Sequence, residues 1–308
     1  MSLSPVPHPR PVRPGDRIGV AALSGPVLPE RLDAGIAALR ELGFEVVEAS
    51  NVRRKHGLFA GSDDERLDGF YELVDDPSVR AVVFARGGWG VNRLLPRFDW
   101  DRIAAHPRAY VGYSDLTPFL HGVVERLGFA AFHGPMVAAD FARGLRDEER
   151  ASFLDALAGQ PQTLSLRSCE PGPACEAPLL GGCLSLLVSL LQTPWQMDLE
   201  DALLFIEDLD EPPYRFDRML THLRLSGTLR SIAGLMIGHL HAEGGKEPTN
   251  ADGTVTLDDV LEDLSAEFPW PLARGLSAGH AGPNWTLPLG ARARLEPGLC
   301  RLIVGLQP

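Results

Sequence analysis

Residues 109–127 read AYVGYSDLTPFLHGVVERL. An apolar run ends at Gly112-Tyr113-Ser114-Asp115 and passes directly into a stripe of Leu116, Phe119, Leu120, Val123, Val124 and Leu127 at helical spacing. A strand that turns at once into an amphipathic helix is half of a βαβ unit, because parallel strands need a crossover and a helix supplies it. The same alternation recurs on moving outward. Val79–Ala85 is strand-like and closes on Arg86-Gly87-Gly88-Trp89-Gly90. Further upstream, Arg17–Leu23 reads as a buried strand. Pro29–Leu42 follows as a helix with Leu32, Ile36 and Leu39 on one face and Gly43 past its end, and Phe44–Ala49 is a second strand. Ser62-Asp63-Asp64-Glu65 has the form of a capping box, opening a helix that carries Leu67, Phe70, Tyr71 and Val74. The pattern predicts an α/β fold built on a doubly wound, mostly parallel sheet.

The texture changes after residue 160. Pro161, Pro171, Gly172, Pro173 and Pro178 break every period, so a linker is expected over 161–178. Beyond it come an apolar helix near Cys183–Leu191, a strand at Ala202–Ile206, a helix at Tyr214–Leu225 and a strand at Ile232–Ile237. The tail, Thr286–Val304, consists of short strand-like pieces broken by Pro288, Gly290, Pro297 and Gly298. The expected division is a Pro-rich arm over 1–14, an N-terminal domain over 15–160, the linker, and a smaller mixed α/β domain over 179–308. No internal repeat is visible.

Composition narrows the classes of function. The 308 residues hold 29 Lys and Arg against 41 Asp and Glu, a net charge of −12. Such a surface repels phosphate backbones and anionic lipid, which argues against nucleic-acid and membrane-surface partners. The N-terminus has no apolar core of the kind a signal peptide needs. The longest apolar stretch, Leu179–Leu191, is interrupted by Gly181, Gly182, Ser185 and Ser189 and falls short of the roughly 20 residues of a membrane span. Cys169, Cys175, Cys183 and Cys300 form no Cys-x-x-Cys pair, so reduced thiols in a cytoplasmic protein are expected, with neither a disulfide framework nor structural zinc.

Four groups of residues invite chemistry. Ser114 stands where a strand becomes a helix, at the carboxyl end of the sheet and beside free N–H groups, a place suited to a nucleophile or to a plain N-cap. Arg86–Gly90 follows a strand directly. Its glycines let backbone approach a ligand or simply make a tight turn, and Arg93 where a dinucleotide fingerprint needs its third glycine argues against a nicotinamide cofactor. Glu207 ends the apolar strand Leu203–Ile206 and opens the acidic run to Glu211. It is either a paired carboxylate, part of a divalent-cation site, or one end of a solvated loop. Among nine histidines, His239-x-His241 puts two rings on one strand face without a third ligand at suitable spacing, while His280 lies in a loop, Ala278-Gly-His-Ala-Gly-Pro-Asn284, that lets an imidazole reach a cleft.

Together the segments resemble the LD-carboxypeptidase family of serine peptidases, which also includes the microcin C immunity proteins. The likeness rests on Arg86-Gly-Gly-Trp-Gly90, Gly112-Tyr-Ser-Asp-Leu-Thr117, Phe132-His-Gly-Pro-Met136, Gly181-Gly-Cys-Leu-Ser-Leu-Leu187, Glu207-Asp208, Pro212–Leu220, Gly279-His-Ala-Gly-Pro-Asn284 and Leu287-Pro-Leu-Gly290, in family order. The resemblance implies a Ser114–Glu207–His280 triad in a cleft between two domains, with an oxyanion hole from the Gly88 and Asp115 N–H groups. It implies no metal and no cofactor. The substrate it implies is a murein tetrapeptide, cut before its terminal D-alanine during peptidoglycan recycling. Family members are commonly dimers, so a homodimer is expected. A free substrate carboxylate calls for a cation, and Arg86 is the candidate. Two departures stand out: Cys183 where the family often has Asn, and Trp89 where it often has Tyr. The second reading is an immunity-type amidase acting on aminoacyl-nucleotide conjugates. A third, of another class, is a non-catalytic small-molecule-binding protein on a periplasmic-binding-like scaffold.

Overall fold

The computed structural model describes residues 4–241 and 256–306. The chain divides into two compact units: residues 7–160 with 285–289, and residues 1–6, 161–284 and 290–308. Among the described residues no helix is long and apolar enough to cross a membrane.

The first unit holds strands β1 (Arg17–Ala21), β2 (Glu45–Glu48), β3 (Val79–Phe84), β4 (Ala109–Gly112) and β5 (Ala131–His133). All pair in parallel, in the order β5-β4-β3-β1-β2, as the alternating sequence predicts. Helices cover both faces. On one, Ile18, Val20, Ala81, Val83, Ala109 and Val111 pack with Leu32, Ile36 and Leu39 of the helix Pro29–Glu41. On the other, Phe84 and Tyr110 meet the rings of Phe70 and Phe119. Residues alternating along a strand thus serve opposite cores, which is why these strands read as continuous apolar runs. The capping box forms: the Glu65 N–H donates to Ser62 Oγ at 3.2 Å, and the Ser62 N–H donates to Glu65 Oε2 at 2.8 Å.

The helix expected after Ser114 is a composite. Ser114–Leu116 makes a 3₁₀ turn, Thr117–Gly122 an α-helix and Val123–Leu127 a π-helical turn. Its apolar stripe is buried from Leu116 to Val124, and Leu127 is half-buried.

The second unit holds β6 (Gln162–Ser165), β7 (Ser168–Cys169), β8 (Cys175–Cys183), β9 (Leu203–Glu207), β10 (Gly234–Ile237) and β11 (Leu272–Arg274). After them in the chain come β12 (Leu287–Leu289), β13 (Arg292–Glu296) and β14 (Arg301–Leu306). The order of its eight-stranded sheet is β6-β14-β13-β8-β9-β10-β11-β7. Only β8 to β11 run parallel. The two outermost strands, β6 and β7, are separated by just Leu166 and Arg167, so the sheet curls. Leu166 donates its N–H to Cys300 and Arg167 to Arg274, each at 2.9 Å.

Two expectations are corrected here. Residues 161–178 are not a linker: they supply β6, β7 and the start of β8. Pro161 lies just before β6, and Pro171 and Pro173 fall between β7 and β8, so the prolines punctuate strands instead of abolishing them. The tail is also not wholly in the second unit. β12 pairs antiparallel with β5 on the first sheet, burying Leu287 and Leu289, and the Thr286 N–H donates to Ser152 Oγ at 2.9 Å. In the second sheet, Gly181 is required. Its φ is +134°, and a Cβ there would lie 1.7 Å from the Phe205 carbonyl oxygen.

Candidate functional site

In a doubly wound sheet, ligands bind beyond the carboxyl ends of the strands, where the strand order reverses. Here that point lies between β1 and β3. The segments leaving these strands carry Ser24-Gly25 and Arg86–Gly90, and the segment leaving β4 carries Ser114.

Ser114 begins the 3₁₀ turn; Tyr113 holds the cap position, with no side-chain cap bond. Ser114 has φ +61°, a left-handed conformation that a non-glycine residue adopts at a cost of about 1–3 kcal/mol. Such strain persists only where the surroundings impose it. Gly87 is one such neighbour: a Cβ on it would sit 2.9 Å from Ser114 Cβ and 3.0 Å from Oγ. The Gly25 N–H donates to the Gly87 carbonyl at 3.2 Å. Because the peptide is planar and trans, the Gly88 N–H then points away from Gly25. Arg86 is exposed and donates from Nη1 to the Pro26 carbonyl at 3.3 Å.

Asp115 is buried, and its Oδ2 accepts from the Ser24 hydroxyl at 2.6 Å and the Val91 N–H at 3.0 Å. Burial pushes its carboxyl above the usual range, against the pull of those donors. Buried Arg66 backs this loop, donating to the Leu23 carbonyl and to Asp63.

In the second unit, Glu207 ends β9 fully buried, and its Oε2 lies 2.7 Å from His280 Nδ1. With Nδ1–H donating to the carboxylate, the His280 lone pair lies on Nε2, the nitrogen that can act as a base. The loop is clamped at several points. Gly279 donates its N–H to Asn284 Oδ1 at 3.0 Å, and His239 donates its N–H to the Ala278 carbonyl at 2.8 Å. His239 Nε2 lies 2.9 Å from the Pro283 carbonyl oxygen, so this ring braces the histidine loop. Among the described residues, no three His, Cys, Asp or Glu side chains gather as a metal site.

The acidic run divides in two. Glu207 and Asp208 are buried, while Leu209 and Asp210 are exposed. Asp208 accepts from the Ser185 and Leu209 N–H groups, both at 2.8 Å, and from the Cys183 thiol at 3.7 Å. Burial, then the Glu207 charge, raises the Asp208 pKa. Burial and the charges of Glu207 and Asp208 push the Cys183 thiol far up, so it acts as a donor. Sequence reasoning missed the Asp115 and Asp208 side chains as acceptors. Their signal was a carboxylate set directly after a candidate residue, against an apolar run.

A strained serine at the carboxyl edge of a doubly wound sheet, and a buried carboxylate holding an imidazole, are groups of the kind that nucleophilic hydrolysis uses. Residues 18–134 match the family model described as the LD-carboxypeptidase N-terminal domain, and residues 176–295 match that of the LD-carboxypeptidase C-terminal domain. The chain belongs to the LD-carboxypeptidase family. It is 38% identical over 297 residues to a Bacillus subtilis protein named "Probable murein peptide carboxypeptidase", covering 94% of this chain and 91% of the relative. It is 25% identical to the Escherichia coli microcin C7 self-immunity protein, covering 93% of this chain and 92% of that one. The crystal structure of a muramoyltetrapeptide carboxypeptidase from Oxalobacter formigenes superposes with a TM-score of 0.86 at 31% identity, over 95% of this chain and 99% of that one.

Proposed function

We propose that this protein hydrolyses the peptide bond between an L-centred residue and the terminal D-alanine of a murein tetrapeptide in peptidoglycan recycling, by a serine mechanism. The observation that carries the reading is the 2.7 Å bond between His280 Nδ1 and buried Glu207, which fixes the tautomer a general base needs. Ser114 Oγ attacks the scissile carbonyl while His280 Nε2 takes its proton. The tetrahedral oxyanion is met by the Gly88 and Asp115 N–H groups. His280 then returns the proton to the amine of the departing D-alanine, and water, activated by the same ring, releases the acyl group. Glu207 stabilises the imidazolium throughout. Arg86 meets the terminal carboxylate of the substrate. Three half-buried thiols and one buried thiol are compatible with a reducing, cytoplasmic setting.

The test is D-alanine release from a murein tetrapeptide by the purified protein, run beside its all-L counterpart and an aspartyl-adenosine conjugate. Release from the tetrapeptide alone is expected, and it should survive exhaustive chelation because a triad needs no Lewis acid. Faster cleavage of the conjugate would favour the immunity-type amidase, and turnover of neither would favour the non-catalytic binding protein.

A further inference from the structure

We propose that the Asp115 side chain is a positioning residue for this reaction: through Oδ2 it ties the glycine loop that bears the Gly88 N–H to the nucleophile. The proposal rests on the assignment of Ser114 as nucleophile.

The loop that must present the Gly88 N–H has little means of fixing itself. Gly87, Gly88 and Gly90 have no side chains, Gly88 and Gly90 have φ of +118° and +135°, and Trp89 is 49% exposed. Glycine is the most permissive residue of the backbone, so such a loop samples many conformations unless something outside it intervenes. Asp115 supplies that anchor. It is the residue after Ser114, so its carboxyl moves with the nucleophile. A single oxygen accepts from Ser24, on the segment leaving β1, and from the Val91 N–H, immediately after Gly90. The bond from the Gly25 N–H to the Gly87 carbonyl closes the circuit between these segments. Three strand ends are thereby referenced to one atom. A shift of about 1 Å in such a donor is enough to cost about 100-fold in rate.

The group acts by geometry more than by charge. Both donors meet Oδ2, and no donor meets Oδ1 in hydrogen-bonding geometry. The guanidinium of Arg66 is committed to Leu23 and Asp63. An asparagine with its amide oxygen at the Oδ2 position keeps both bonds. Alanine keeps neither.

The test compares Asp115→Ala, Asp115→Asn and Ser114→Ala in two assays on the full chain: kcat and KM with a murein tetrapeptide, and the rate of covalent labelling by a fluorophosphonate, which needs an oxyanion hole but no peptide recognition. Asp115→Ala should lose about 100-fold in both kcat and labelling rate, with KM within about 2-fold of the parent. Asp115→Asn should restore most of that loss, to within about 10-fold of the parent. Parent-level kcat and labelling in a folded Asp115→Ala protein would overturn the proposal, as would an Asp115→Asn protein no better than the alanine. If Asp115→Ala does not fold, Ser24→Ala removes one of the two ties and should lower kcat by about 5- to 10-fold at unchanged KM. Parent-level kcat in Ser24→Ala would then count against the strut. Labelling of Ser114→Ala at the parent rate would instead mean that the nucleophile assignment itself has failed.

Discussion

The two units hold their candidate residues by different means. In the first, Ser114 is held by backbone: a left-handed φ of +61°, and a glycine whose missing Cβ leaves room for Oγ. In the second, His280 is held by a side-chain bond to Glu207, a residue 73 positions away in sequence. Yet each unit also holds a buried aspartate next in sequence to one of these residues, Asp115 after Ser114 and Asp208 after Glu207. Asp115 accepts from Ser24 and Val91, and Asp208 accepts from Ser185, Leu209 and Cys183. The lesson is that a backbone-held group is vulnerable to added bulk, while a side-chain-held group is vulnerable to lost hydrogen bonds. The two halves should therefore fail differently.

The largest effects test whether the halves work as one machine. Ser114→Ala and His280→Ala should each lower kcat by about 10⁴-fold or more, and the double variant by little beyond either alone, because triad members act as a unit. Ser114→Ala removes one hydroxyl and should still fold, as a melting curve would verify. Multiplicative losses in the double variant would mean that the two residues act independently. Next in size is Glu207→Gln, where the amide can hold the ring yet favours the wrong tautomer. A loss of about 10³- to 10⁴-fold in kcat, with measurable residual turnover, is expected. Activity equal to the parent would reduce the 2.7 Å contact to a structural one.

Gly87→Ala probes the backbone-held half. The added methyl meets Ser114 Cβ and Oγ at about van der Waals overlap, with distances of 2.9 and 3.0 Å. Displacing the nucleophile by a few tenths of an ångström to 1 Å should lower kcat by about 10- to 100-fold. The fold should survive at a cost of about 1–3 kcal/mol. Unchanged kcat would show that Ser114 does not need its observed position.

Legibility in the sequence followed the range of the interactions. The βα alternation, the capping box at Ser62 and the special place of Ser114 were readable because each is fixed by residues within a few positions of one another. The strand role of residues 161–178 was hidden because β7 is only two residues long and makes sense only beside β11. The return of Leu287–Leu289 to the first sheet was hidden for the same reason, since its partner β5 lies far upstream. Nothing in the local sequence of Glu207 or His280 separates a buried pair from a solvated loop and a loop histidine; only the resemblance joined them. The acceptor role of Asp115 depends on donors 91 and 24 residues away, and that of Asp208 on donors 23 and 25 residues away as well as on adjacent Leu209.

The smallest predicted effect concerns Asp208 and appears as a slope. Burial, reinforced by the Glu207 charge, raises its native pKa above the ordinary aspartate value. Between that ordinary value and the raised one, the native state binds more protons than the unfolded chain, so this group's contribution to stability falls as pH rises through the window. Asp208→Asn removes the titration but leaves one N–H of Ser185 or Leu209 facing an NH₂, a pH-independent cost of about 1–3 kcal/mol. The variant should therefore be less stable than the parent at acidic pH, and the gap should narrow as pH rises through the window and then level off. Contributions from Asp115 and Asp140, also raised by burial, are common to both proteins and cancel in the difference. Urea unfolding of both proteins at closely spaced pH values from 4 to 7 reads the gap directly. A gap that stays constant or widens would mean that Asp208 is ionised in the native state across this range. Its hydrogen bonds from Ser185, Leu209 and Cys183 would then outweigh its burial.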